Sequence, residues 1–426
     1  MTTKPTTPIY PCPLSGLSYE RSTSPVLSIP DELKPALSAA AAHLRAGRTV
    51  AFPTETVYGL GAHSLDPDAV KRVYAIKRRP ADNPLIIHVG GMDMLRRLVP
   101  ASYELSELYA ALTDTFWPGP LTLLFPSTNP PPPPAPQTNA IRMPAHPLAL
   151  ALIQTADLPV SAPSANSSGR PSPTQAQHVK NDLDGSEGLG CILDGGACGV
   201  GVESTVVDGL AWRKGGGGSV NVLRPGGLGV EDVARVVRAV DEKYGGSTQI
   251  LLHGRPWVPN ANATEPAPKP KDDAPPSTPG MKYRHYSPRI PVFLLLPSNV
   301  FPTRPRISPS DSSAASVVAA IRAKNPRLGF LGFEGSPLSK ALEGDAVAVR
   351  HSLGKDAASA AQNLFGGMLA LEQEGVDAIL IEGCSDDGLG LAVMERAGKA
   401  VGGGGVSGAL GQGEGASASG RLWVQV

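Results

Sequence analysis

Between Val50 and Val89 the order of residue types leaves few folds open to this chain. Val50–Phe52 is a short apolar run that reads as a buried strand. It enters a polar, glycine-punctuated loop, Pro53-Thr54-Glu55-Thr56-Val57-Tyr58-Gly59-Leu60-Gly61. Asp66-Pro67 then opens a helix, with proline at its first turn and Val70, Val73, Tyr74 and Ile76 as its apolar face. Lys77-Arg78-Arg79-Pro80 ends it, and Leu85–Val89 follows as a second apolar strand that carries His88. Strand, glycine loop, basic-ended helix and strand together read as part of an α/β sheet. Hydroxyls and cations then fall at strand ends, where such sheets collect ligands.

The alternation continues. A helix over Asp31–Ala46 precedes the block, with Asp31 as its cap and Leu33, Leu37, Ala40, Ala41 and Leu44 as its stripe. After it, helices are expected at about 101–114, 147–155 and 174–183, with strands at Leu121–Phe125, Pro159–Ala162, Cys191–Asp194, Ser204–Val207 and Asn221–Leu223. A helix at Val230–Val240 closes the pattern. A second, smaller α/β pattern starts near Pro291, with strands at Val292–Leu296, Leu328–Phe330, Val347–Val349, Ala378–Ile381 and Leu422–Val424. Its helices are expected at about 312–324, 355–374 and 390–399. The layout is a flexible N-terminal arm over 1–25, a catalytic-sized domain over 26–250, a Pro-rich linker over 251–289 and a C-terminal α/β domain over 290–426. The tracts Pro130–Pro136, Gly215–Gly218 and Gly402–Gly420 read as loop insertions that build no core.

Lys+Arg and Asp+Glu are both 38, so no global basic field recruits nucleic acid. The charge is uneven, however. From Arg45 to Gly90 there are seven Lys/Arg against four Asp/Glu, a local excess of three positives that suits a small anionic ligand. Four scattered cysteines, Cys12, Cys191, Cys198 and Cys384, form no CxxC pair, which argues against a zinc ribbon and a disulfide framework and for a reducing compartment. No apolar run approaches the ~20 residues that span a bilayer. The expected location is cytoplasmic. A Ser/Thr/Pro-rich, acid-poor N-terminus also leaves room for a mitochondrial pool.

At least five separated segments set hydroxyls, glycines or a lone Arg beside a strand. They are Thr54–Gly59, Trp117–Thr122, Ile141-Arg142-Met143-Pro144, Ser161–Asn166 with Arg170 soon after, and Gly201–Val206 with Leu223-Arg224-Pro225-Gly226. Each alone reads first as an ordinary turn, a cap or a surface Arg. Taken by themselves, Lys77 and Arg79 read first as helix-end cations that complement the dipole, and His88 as a core residue. Arg142, set among apolar residues, needs an anion, either a carboxylate of the protein or one of a ligand. Five such segments together make a pocket. No GxxxxGK[ST] loop, GxGxxG after the first strand, GxSxG elbow or HExxH pair occurs. With no recognisable nucleophile or metal cage, any catalysis is expected to work by positioning and electrostatics.

In this order the segments resemble the threonylcarbamoyl-AMP synthase family, YrdC-like enzymes that make the activated intermediate for a tRNA modification. The resemblance runs over about 45–230 and on through Pro279-Gly280-Met281-Lys282-Tyr283-Arg284-His285-Tyr286-Ser287-Pro288 into the C-terminal region, which is similar to the long, two-domain form. It implies a YrdC-like twisted-sheet catalytic domain plus a smaller Rossmann-like C-terminal α/β domain. It implies a nucleotidyltransferase that condenses L-threonine, bicarbonate (or CO2) and ATP to L-threonylcarbamoyl-AMP and pyrophosphate, for threonylcarbamoyl modification of the tRNA adenosine next to the anticodon. By resemblance Thr54, His88, Arg142 and Ser204 line the threonine side, with Arg142 on the amino-acid carboxylate. Lys77 and Arg79 hold the triphosphate and act electrostatically, and Asn83, Thr122, Ser164, Arg170 and Arg224 contact the nucleotide. Tyr286 is expected to fold over ATP as a lid, Mg2+ to ride on the ATP phosphates, and the product to pass to a tRNA threonylcarbamoyl transferase complex.

Three other readings stay open. An RNA-binding module with weak RNA affinity is opposed by zero net charge and 5% aromatic residues. A hydrogenase-maturation carbamoyltransferase shares the core domain, but such proteins carry Cys-rich zinc motifs. An inactive regulatory relative would not keep the whole pocket set.

Overall fold

The computed structural model describes residues 6–128, 137–258, 285–301, 313–344, 346–401 and 420–426. The tract Pro130–Pro136, residues 259–284 of the linker and residues 402–419 lie outside the described residues. The described chain falls into two compact units. One holds 6–168 and 172–258, the other 169–171 and the described part of 285–426.

The first unit is a mixed sheet with twelve strands among the described residues. In spatial order they are Ile9–Pro11, Leu189–Asp194, Thr49–Phe52, Gly59–His63, Val160–Ser161, Ile86–His88, Thr138–Arg142, Leu121–Pro126, Thr205–Asp208, Gly218–Arg224, Thr248–Leu252 and Arg255–Pro256. Helices Lys34–Arg45, Pro67–Lys77, Glu107–Phe116, Pro147–Ala156, Ala176–Leu183 and Val230–Tyr244 accompany it. One core cluster gathers Tyr58, Leu60, Val73, Val179 and Ile192, all fully buried. Burying each large apolar side chain contributes roughly 1.5–3 kcal/mol.

The helix Pro67–Lys77 shows how the sequence sets its own ends. Asp66 Oδ1 accepts from the Asp68 and Ala69 amides at 2.9 and 3.2 Å, satisfying donors that the first turn leaves open. At the other end Arg78 takes a left-handed conformation, φ 52°, ψ 44°. Its N–H reaches Ala75 O at 3.1 Å and the next N–H, of Arg79, reaches Tyr74 O at 2.9 Å. A non-glycine residue there costs about 1–2 kcal/mol. The turn separates neighbours: Lys77 is buried while Arg78 is exposed.

Several strands depart from the sequence expectation. Gly59–His63 reads as loop from its residues, yet it pairs antiparallel with Thr49–Phe52. Its glycines admit close packing. A Cβ on Gly61 would lie 2.6 Å from the Phe52 ring and 2.7 Å from Val160 Cγ1. Thr138–Arg142 is also a strand. The expected helix at about 101–114 begins later, at Glu107, because Ser106 Oγ caps it by accepting from Tyr109 N at 3.2 Å.

The flexible arm over 1–25 is corrected for its described part. Ile9–Pro11 pairs parallel with Ile192–Asp194, Cys12 is buried, and the Thr7 amide donates to Asp184 Oδ1 at 2.8 Å. Long-range partners order a segment that its own composition would not. The linker expected from 251 also starts later. Thr248–Leu252 adds to Gly218–Arg224, and Arg255–Pro256 folds back on it, because the apolar run Ile250-Leu251-Leu252 extends the sheet.

The second unit holds an all-parallel five-stranded sheet among the described residues, in the order Val349–Gly354, Leu328–Phe333, Ala378–Glu382, Val292–Pro297, Arg421–Val424. Val292–Pro297 and Ala378–Glu382 are buried at every position, as a sheet covered on both faces requires. Helices Ala314–Arg322, Pro337–Ala341, Ala357–Gln373 and Leu389–Val401 go with it. The strand expected at Val347–Val349 lies instead at Val349–Gly354, and Asp356 opens the next helix through a capping box with Ser359. All four cysteines are free thiols, and among the described residues no helix is long and apolar enough to cross a membrane.

Candidate active site

Register places much of the site. His88 is paired with Arg142, Arg142 with Thr122, Thr122 with Val206 and Val206 with Arg224. Paired residues on adjacent strands share a sheet face, so one row across five strands presents an imidazole, two guanidiniums and a hydroxyl on one side.

Two networks grow from this row. In the first, Arg142 donates from Nη1 to Thr56 Oγ1 at 3.0 Å and from Nε to Gly119 O at 3.2 Å. Thr56 Oγ1 lies 2.8 Å from Thr54 Oγ1, which donates to Val57 O at 2.7 Å. Arg142 Nη2 also meets Glu55 Oε1 at 2.5 Å, although neither atom is aligned in a hydrogen bond. The other Glu55 oxygen accepts from Ala145 N at 3.0 Å. In the second network Thr122 Oγ1 and Ser204 Oγ are 2.7 Å apart, and Arg224 Nη2 donates to Ser204 O at 2.8 Å and Ser204 Oγ at 3.2 Å. Gly226 allows this approach: a Cβ there would stand 2.3 Å from Glu203 O and 2.4 Å from Ser204 C.

The cations after the helix form a third group. Lys77 is fully buried, and its ammonium donates to Ser164 O and, at 2.5 Å, to Asn166 O. It has no carboxylate partner among the described residues. Burial, then the nearby Arg79 charge, push its pKa well below the ordinary lysine value, against the opposing pull of Asp182 and Glu203. Arg79 donates to Asn83 O at 3.1 Å and Pro84 O at 2.9 Å. His88 is held neutral: burial, then the Arg142 charge, bring its pKa down to about 3. Two buried polar atoms, Asn83 Oδ1 and His88 Nδ1, have no partner among the described residues.

Thr54, His88 and Arg142 thus share one neighbourhood, Thr122, Ser204 and Arg224 an adjoining one, and Lys77 meets Ser164 through the Ser164 carbonyl. Arg170 and Tyr286 are grouped with the second unit. Arg170 forms a fork with Glu372, at 2.8 and 2.5 Å. Tyr286 is buried 5.2 Å from the Phe365 ring, with Arg396 over it at 5.7 Å. Sequence reasoning named an anion for Arg142 without choosing between protein and ligand, and Glu55, two residues after Pro53, is the protein's answer. It also passed over Thr56, whose hydroxyl bridges Thr54 to Arg142, and Glu203, which accepts from Ser172 Oγ at 2.6 Å.

Among the described residues no three His, Cys, Asp or Glu side chains converge as a metal cage. The carboxylates nearest the networks, Glu55 and Glu203, are taken by Arg142 and Ser172.

A family profile described as "Telomere recombination" matches residues 42–226, and one described as "Threonylcarbamoyl-AMP synthase, C-terminal domain" matches residues 231–402. The threonylcarbamoyl-AMP synthase of Schizosaccharomyces pombe is 40% identical over 407 residues, covering 87% of this chain and 90% of the relative. That of Pyrococcus abyssi is 40% identical over 369 residues, covering 85% and 93%. The crystal structure of P. abyssi Sua5 complexed with L-threonine superposes with a TM-score of 0.70 at 35% identity, covering 98% of this chain and 100% of that one.

Proposed function

The chain belongs to the threonylcarbamoyl-AMP synthase family, and from that premise we propose that it condenses L-threonine, bicarbonate and ATP into L-threonylcarbamoyl-AMP and pyrophosphate. The observation that carries this reading is Lys77: an amine buried, among the described residues, without a carboxylate partner, within the charge field of Arg79 and beside the loop Ser164–Asn166. Such a group is stable in its charged form only when an anion joins it. A triphosphate supplies that anion.

The residues then divide the work. L-Threonine enters with its carboxylate on Arg142, in place of Glu55, and with Thr54, His88 and Ser204 around it. Its amine takes up bicarbonate, a water leaves, and a threonine carbamate remains. A carbamate oxygen attacks the α-phosphorus of ATP in line, the bond to the β-phosphate oxygen breaks, and pyrophosphate departs. Lys77 and Arg79 offset the charge that grows on the leaving group, the one point where electrostatic help lowers the barrier rather than tightening ground-state binding. Neutral His88 adds no second positive charge beside Arg142. Asn83, Thr122, Ser164 and Arg224 hold the nucleotide, and Asn83 Oδ1, buried without a partner among the described residues, can accept from it. Mg2+ comes bound to the ATP phosphates. The nucleotide contacts assigned to Arg170 and Tyr286 rest on the family resemblance alone.

The same reading gives the wider setting: a cytoplasmic enzyme, its N-terminus leaving room for a mitochondrial pool, that passes its product to a tRNA threonylcarbamoyl transferase complex. Incubating the purified protein with ATP, L-threonine and 13C-bicarbonate, followed by mass spectrometry, tests the chemistry. The reading requires a threonylcarbamoyl-adenylate that carries one 13C. A threonyl-adenylate without it would assign a different acyl donor.

A further inference from the structure

The sequence carries seven basic residues between Arg45 and Gly90, and the proposed reaction uses two of them, Lys77 and Arg79. Lys71 pairs with Asp68 at 2.9 Å, and Arg45 donates to the carbonyls of Thr155 and Ala156. The remaining three, Arg48, Arg72 and Arg78, converge on one cleft of ≈ 700 Å³ in the first unit.

The backbone builds this convergence. Gly47, with φ 70°, ends the helix Lys34–Arg45 and hands Arg48 to the cleft. Arg72 donates to the Gly47 carbonyl, and its stem runs over Gly188, where a Cβ would sit 3.4 Å from Arg72 Cδ. One guanidinium is therefore held in place before any ligand arrives. The left-handed turn at Arg78 brings the third cation here, while its neighbour Lys77 is buried. The Arg48 and Arg78 guanidiniums make no hydrogen bond or ion pair among the described residues. Glu187 is the one acid on the lining, so the cleft has two more positive charges than negative. Ser186 adds a hydroxyl.

We propose that this cleft is a second anion site that binds phosphate groups, distinct from the one served by Lys77 and Arg79. Guanidinium forks match phosphate oxygens two at a time, and one pinned Arg with two unengaged ones can close around a phosphate chain from several sides. Free polyphosphate and an RNA backbone share that chemistry, and the cleft is large enough for a short length of either.

The test uses the full chain and two probes. Inorganic tripolyphosphate is titrated calorimetrically, and a labelled single-stranded RNA oligonucleotide is followed by fluorescence anisotropy at two salt concentrations. Each lost Arg–phosphate fork lowers affinity about tenfold. Two tripolyphosphate sites on the wild type, with the weaker one lost in an Arg48→Gln/Arg78→Gln variant, would support a free-phosphate ligand. RNA binding that weakens in that variant, with its log–log salt slope falling by about 0.7 per contact removed, would support an RNA backbone. Glu187→Gln should tighten the affected probe up to about fivefold, a gain that misfolding cannot imitate. If neither probe's binding changes in the Arg variant, the proposal is overturned.

Discussion

The contact between Arg142 and Glu55 makes the sharpest claim about how the protein waits for its substrate. The two side chains are 4% and 15% exposed and meet at 2.5 Å, so the pair is nearly desolvated. Arg142 also serves two acceptors, Gly119 O and Thr56 Oγ1. Replacing Arg142 with Met strands the Glu55 carboxylate with only the Ala145 amide. Removing one partner of a buried pair costs about 3–5 kcal/mol; the orphaned Gly119 carbonyl adds about 1 kcal/mol, while Thr56 Oγ1 keeps its contact with Thr54 Oγ1. Glu55→Gln keeps the shape but leaves the guanidinium without a counter-charge, for about 2–3 kcal/mol by the same argument. In the double variant neither charge remains, so the single losses should not add. The expected coupling is about 2–3 kcal/mol, read from urea midpoints with the m-value unchanged. L-Threonine then supplies a second readout. In the proposed binding mode its carboxylate displaces Glu55 in the wild type but meets an open guanidinium in Glu55→Gln. Threonine should therefore bind Glu55→Gln about tenfold more tightly or better, and stabilise it more. A coupling below about 0.5 kcal/mol, or threonine affinity that falls in Glu55→Gln, would refute the exchange.

Three further outcomes follow from the same geometry. His88 has a folded pKa near 3 against an ordinary 6.5, so the unfolded chain binds the extra proton first and stability declines as pH falls from about 6.5 toward 3; His88→Phe should flatten that part of the urea-midpoint profile, and an unchanged slope would mean that the imidazole is not buried neutral. Lys77→Met should lower pyrophosphate release by roughly 10²–10³-fold while the fold persists, and wild-type turnover in that variant would remove Lys77 from the reaction. Under the proposal that the divalent ion travels with ATP, chelation with EDTA should stop turnover and leave the unfolding midpoint in place; a midpoint that falls with EDTA would reveal a cage in the protein.

What the sequence makes legible depends on whether the signal is local. The helix Pro67–Lys77 is written in its own ends, Asp66-Pro67 and Pro80, and the hydroxyl-rich loops after strands can be picked out by residue type. Gly59–His63 and Thr138–Arg142 cannot. Gly-Leu-Gly-Ala-His holds no strand-favouring side chain but Leu60, and it becomes a strand because Phe52 and Val160 fill the space its glycines leave. Ile9–Pro11 is ordered by a partner strand far along the chain. Site residues follow the same division. That Arg142 needs an anion is readable from its apolar neighbours, but that Glu55 provides it depends on register among strands remote in sequence. The row His88–Arg142–Thr122–Val206–Arg224 is likewise a product of pairing. The division of Lys77-Arg78-Arg79, with Lys77 buried and Arg78 on a separate cleft, rests on one left-handed residue that no composition rule marks.

The central claim is that adenylyl transfer waits for a threonine carbamate. It is tested most directly by pyrophosphate release from ATP, measured on the purified full chain with L-threonine and bicarbonate each present or withheld. The account predicts release only when both are supplied. Release at the same rate without threonine or without bicarbonate, or none from the folded protein with both, would contradict it.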